Sequence, residues 1–169
     1  MKKLISIISA ATVCLSLVCL PIYANEPKKV EINTAALVEA MVKLTKDIKS
    51  VDSMEADGLK LSRPTDDELK ELAKFYKTSQ EGYFLRNSDK ELTEQEAFAD
   101  LKRYDANFSV TYVVKDSDKN LVGAVILTCL GENIVNVAYW ILPKFRGHSY
   151  ASKACELVIR EIHKKGGVI

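Results

Sequence analysis

The stretch that decides the fold is Tyr139-Trp140-Ile141-Leu142-Pro143-Lys144-Phe145-Arg146-Gly147-His148-Ser149-Tyr150-Ala151. Residues 134–142 form a β-rich run closed by Pro143, which cannot donate to a ladder. A helix then opens near residues 147–150 and runs to Lys164 or Lys165. Ala151, Ala154, Cys155, Val158, Ile159 and Ile162 fall on its inner side, and Gly166 and Gly167 stop it. A helix start leaves backbone N–H groups without acceptors and carries the positive end of the macrodipole, so this junction favours a phosphate or pyrophosphate. Gly147 lets the backbone approach such a group without a Cβ in the way, and Arg146 adds a permanent charge with forked donors. The same residues also read as a solvated turn with a surface arginine.

Upstream, residues 109–114 are β-rich, residues 116–120 make a polar turn, and residues 121–130 form an apolar run, which together predict a hairpin. A second turn at Gly131, Glu132 and Asn133 leads into residues 134–142, so three strands form an antiparallel meander. Thr65 with Glu68, and Thr93 with Glu96, are capping boxes that predict two helix starts. The first helix runs to about Tyr76; the second buries Phe98, Leu101 and Tyr104. Before them, residues 59–63 alternate apolar with polar up to Pro64 and predict a strand. Leu37, Met41, Leu44, Ile48 and Val51 form a helical stripe over residues 33–51, which docks on the domain or links it to the N-terminus. Residues 52–58 are polar and aperiodic and read as a boundary.

The N-terminus has the layout of an export signal: Lys2 and Lys3, an uncharged apolar stretch over residues 4–25, and small Ala24 before a polar run. Cleavage is expected after Ala24, giving an exported chain, periplasmic or secreted. The alternative is a membrane anchor by an uncleaved signal, since residues 4–22 are about long enough to cross a bilayer. The organisation expected is a signal peptide at 1–24, a helical extension at 25–57 and a domain at 58–169. Of 169 residues, 24 are Lys or Arg and 23 Asp or Glu, and 47% are hydrophobic, which suits one folded domain and offers no net pull toward nucleic acid. Cys14 and Cys19 leave with the signal; Cys129 and Cys155 read as core thiols, with one bridge between them left open. With only His148 and His163 and no Cys/His spacing pattern, no metal site is expected.

The order strand, two helices, hairpin, strand, then a helix opened by Arg146-Gly147-His148-Ser149-Tyr150-Ala151, resembles the GNAT N-acetyltransferase superfamily, nearest the branch that acetylates ribosomal-protein N-termini. The resemblance implies an α+β fold, a mainly antiparallel mixed sheet flanked by helices, with acetyl-CoA as cosubstrate and a primary amine, on a peptide or small molecule, as acceptor. It implies that Arg146, Gly147, His148, Ser149, Tyr150 and Ala151 hold the pyrophosphate. It also implies that the preceding strand bulges and that the main chain of Ile141 pairs with pantetheine. Ser149 stands where the family has its central glycine, which predicts weakened binding. The chain stops at Ile169, where the fifth family strand would begin, so the last strands and the usual tyrosine general acid are expected to be missing. That leaves residues 134–142 as an open edge for self-association or a partner. An inactive remnant serving as an exported binding module is the alternative reading. Glu132, Asn136 and Tyr139 are the candidate bases and none is assigned; His148 reads as a surface residue.

Overall fold

The computed structural model describes residues 33–78, 90–106 and 108–169; the export-signal reading lies outside them. Thr34–Ile169 forms one compact unit. Its order is α1 (Thr34–Lys49), β1 (Ser53–Ala56), β2 (Leu59–Ser62), α2 (Asp66–Tyr76), α3 (Glu94–Arg103), β3 (Ser109–Lys115), β4 (Leu121–Cys129), β5 (Val135–Ile141), a 3-10 turn (Pro143–Phe145) and α4 (Tyr150–Lys164). The five strands follow chain order and every neighbouring pair is antiparallel. A single parallel bridge joins Ile134 to Val168, where the sequence anticipates one more strand.

The sheet has an apolar layer on each face. Met41, Leu44 and Ile48 of α1 and Ala154, Leu157, Val158 and Ile162 of α4 pack against one face, over Tyr112, Val125 and Leu127. Leu69, Leu72, Ala73 and Tyr76 of α2 and Ala97 and Leu101 of α3 pack against the other, over Val113, Ala124 and Trp140. Both expected capping boxes are present, each with the threonine hydroxyl accepting from the glutamate N–H and the carboxylate accepting from the threonine N–H. In α3 the fully buried residues are Ala97 and Leu101, while Phe98 and Tyr104 are only partly buried.

Residues 52–58, expected as a boundary, are instead a strand and a turn. Asp57 and Gly58 both have positive φ, 52° and 75°, and connect β1 to β2 as a two-residue hairpin. Asp-Gly between β-compatible residues is the sequence signal for such a turn. Through β1 the helix α1 becomes part of the sheet's own core layer. Asp105 ties these parts together: its carboxylate pairs with Arg63 and accepts from the Thr111 N–H at 3.1 Å, and its carbonyl accepts from Lys49 Nζ at 2.8 Å.

Candidate functional site

The bulge that the resemblance implies for β5 is absent. β5 pairs with β4 in continuous register from Val135 with Cys129 to Ile141 with Gly123. The irregularity lies one strand away: Val114 pairs with Gly123 but Lys115 pairs with Leu121, so Val122 is an extra residue. The inserted residue reverses which face each side chain meets, which puts Val122 with the α1/α4 layer and Ala124 with the α2/α3 layer. At Gly123 the backbones approach so closely that a Cβ would lie 2.1 Å from the Trp140 carbonyl oxygen.

Regular pairing gives β5 one occupied edge and one outer edge. The Val135 N–H points outward, donating to the Val168 carbonyl at 2.9 Å. By the two-residue alternation of an antiparallel strand, the backbone groups of Val137, Tyr139 and Ile141 face the same side. The Ile141 carbonyl is met there by Arg146 Nε at 3.0 Å. Arg146 therefore binds the strand edge as well as standing beside the helix start.

Between strand and helix the chain makes a tight turn. Gly147 takes φ +84°, and Ser149, the N-cap residue of α4, takes φ +60° and ψ 16°, the left-handed region, with no capping bond from its side chain. Ser149 thus holds a conformation that glycine adopts freely and carries a Cβ there. The Ser149 carbonyl accepts from the Lys153 N–H at 3.1 Å. The N–H groups of residues 147–152 meet no acceptor among the described residues. His148 Nδ1 lies 3.2 Å from the Phe145 carbonyl and 3.0 Å from that of Arg146, and two acceptors place the proton on Nδ1. Its ring stacks on Tyr150, which meets Phe145 edge-on. His148 acts as a brace of the turn, with an exposed ring.

The expected site residues thus converge on one junction: the Ile141 edge, the Arg146 guanidinium, the Gly147–Ser149 turn and the first turn of α4 with Tyr150 and Ala151. Six consecutive N–H donors and one guanidinium fit a diphosphate, and the outward groups of Val137 and Tyr139 fit an amide-bearing arm laid along β5.

Glu132 and Asn136 are exposed, Tyr139 is 55% exposed on the α1/α4 face, and the described residues hold no cluster with metal-binding character. Cys129 and Cys155 are free thiols, and burial pushes both up from the usual thiol range, which keeps them protonated and unreactive. No helix among the described residues is long and apolar enough to cross a membrane.

A strand edge leading through a glycine turn into a helix start, on an antiparallel sheet with helices on both faces, defines an α+β protein with a run of open backbone donors at that junction. Residues 59–168 match the acetyltransferase (GNAT) domain, and the chain belongs to that family. The fold is similar to that of a GNAT-family acetyltransferase from Bacillus anthracis, at 16% identity over 67% of this chain and 67% of that one, with a TM-score of 0.57. It is also similar to spermidine N-acetyltransferase from Vibrio cholerae, solved with CoA and spermine, at 17% identity over 63% and 64% of the two chains and TM-score 0.54. A third is the acetyltransferase from Salmonella typhimurium that modifies the N-terminal serine of a 50S ribosomal subunit protein, at 11% identity over 67% and 68%, TM-score 0.52. The chain spans about two thirds of the length of each of these. No curated protein matches it in sequence.

Proposed function

We propose that this protein is an acetyl-CoA-dependent N-acetyltransferase acting on a primary amine, either a protein N-terminus or a small amine. One observation carries the reading: a run of backbone donors, residues 147–152, meets no acceptor among the described residues and lies just beyond an edge strand with outward-facing backbone groups. The family supplies the chemistry, attack of an amine on a thioester. This chain's residues supply binding: the helix start and Arg146 hold the diphosphate, Val137 and Tyr139 offer main-chain groups to the arm, and the buried Trp140 and Leu142 beneath keep the strand rigid. A backbone N–H on that edge would serve the developing oxyanion, where a preformed donor is worth more than in water.

The test is the melting temperature of the full chain with and without millimolar acetyl-CoA, repeated on Arg146→Ala. A ligand that binds only the native state raises stability by RT ln(1 + [L]/Kd). A rise in the wild type that shrinks in the variant supports the site; no rise removes it. A second reading, a GNAT-shaped binding module without catalysis, is favoured by Ser149, which carries a Cβ at φ +60° within the turn; under it the coenzyme gives no shift. Export through residues 1–24 belongs to the proposal as well, and a mature chain beginning at Asn25 by mass spectrometry is its check.

A further inference from the structure

The α2/α3 face of the sheet is lined in rows set by strand register. Val113, Ala124 and Trp140 form one row under the helices, and Thr111, Ile126 and Ala138 form the next. Ser109, Thr128 and Asn136 form the third: Ser109 pairs with Thr128, and Thr128 pairs with Asn136. Three polar side chains on three adjacent strands, in register, form the last row of this face, next to the row that holds Thr111. The Ser109 and Thr128 hydroxyls are 3.1 Å apart, both residues are half-buried, and Asn136 is exposed. Beyond them, Leu130 and Ile134, joined by a 2.9 Å backbone bond, are each 50% exposed. One step inward, the Thr111 hydroxyl is buried with no hydrogen-bond partner among the described residues.

We infer that this surface is the acceptor shelf, and that its occupant is the uncharged N-terminal segment of a peptide. The inference rests on the acetyltransferase reading above. Hydroxyl and carboxamide groups both donate and accept, which matches an amine followed by peptide groups. The row itself carries no charge, so a polycation would leave its water without a counter-charge in return. Leu130 and Ile134 offer an apolar seat for one of the peptide's side chains. The unpartnered Thr111 hydroxyl keeps its hydrogen-bonding capacity beneath the same row. Continuity places the shelf correctly as well: Asn136 lies between Val135 and Val137 on β5, the strand whose outer edge is the candidate coenzyme track.

Binding is the readout, on the full chain. A fluorescent hexapeptide with a free N-terminal alanine and no charged side chains is titrated with and without saturating CoA, with spermidine as competitor, and CoA affinity is measured separately by calorimetry. Asn136→Leu and Thr128→Val are expected to weaken peptide binding about tenfold each and to leave CoA affinity within twofold. Asn136 is exposed, so its variant keeps the fold intact, and unchanged CoA affinity reports that. Peptide affinity unchanged in both variants, or spermidine displacing the peptide at equal concentration, overturns the shelf. A wild type that binds no CoA overturns the acetyltransferase reading instead, and peptide binding without CoA then still decides the shelf.

Discussion

Arg146 Nε donates to the carbonyl of Ile141 at 3.0 Å, so one side chain both terminates the outer edge of β5 and fixes a guanidinium beside the start of α4. Arg146→Lys keeps the charge and loses the fork. A hydrogen bond from a charged donor at a partly exposed site contributes about 1 kcal/mol. Denaturant titration is expected to show a loss of that order. Coenzyme affinity is expected to fall about tenfold, because the strand edge and the cradle lose their common anchor; a lysine variant with wild-type affinity would mean that charge alone suffices.

Ser149 lies at φ +60°, where an L side chain costs roughly 1–2 kcal/mol, partly offset in Ser149→Gly by the greater freedom of glycine in the unfolded chain. The expected net gain is about 0.5–1 kcal/mol, read as a melting temperature a few degrees higher. Coenzyme affinity should rise at the same time, since the Cβ leaves the turn. A higher melting temperature with no gain in affinity would show that the serine side chain does not meet the ligand.

Gly123→Ala would place a methyl group 2.1 Å from the Trp140 carbonyl and 3.0 Å from Ile141 Cα. Both contacts are backbone and neither can rotate away, so β4 and β5 must part at the end nearest the candidate site. Overpacking of this kind costs about 1–3 kcal/mol. Chemical denaturation should show that loss, and hydrogen exchange should quicken at residues 139–142 before elsewhere in the sheet.

The Tyr112 hydroxyl sits 2.9 Å from the Ile48 carbonyl and 2.8 Å from that of Val51, closing the end of α1 onto β3. Burial, with help from nearby carboxylates and against the pull of Arg63, pushes its pKa up to about 12. The folded state therefore favours the protonated phenol. The stability this contributes is complete below pH about 10, the value of a free tyrosine, and is lost as pH rises toward 12. Tyr112→Phe should cost about 1–2 kcal/mol at neutral pH by leaving the α1 terminus a donor short. It should also flatten the alkaline limb of the stability profile measured by urea titration between pH 9 and about 12.

Most of the element order was legible because its signals are local. The capping boxes at Thr65 and Thr93, the turns at residues 116–120 and 131–133, and the α4 stripe each report on a few consecutive residues. The hairpin at Asp57 and Gly58 is equally local, but the four-residue strand before it is too short to show alternation. Of the candidate coenzyme residues, Arg146 and Gly147 were legible in the strand–turn–helix pattern, and the others followed from the family resemblance. The Ser109–Thr128–Asn136 row had no local signal, since its members are 19 and 8 residues apart in the chain.

What this sequence determined by itself was a set of elements with their caps and ends, because hydrogen bonds within one turn of chain depend only on neighbours. Tertiary structure decided the rest. The extra residue at Val122 assigns the β4 side chains on either side of it to their faces, and strand pairing turns the Val137, Tyr139 and Ile141 main chains outward. Those outcomes depend on register between distant segments, and register is chosen by burying both faces of the sheet at once, a condition that no single stretch of sequence contains.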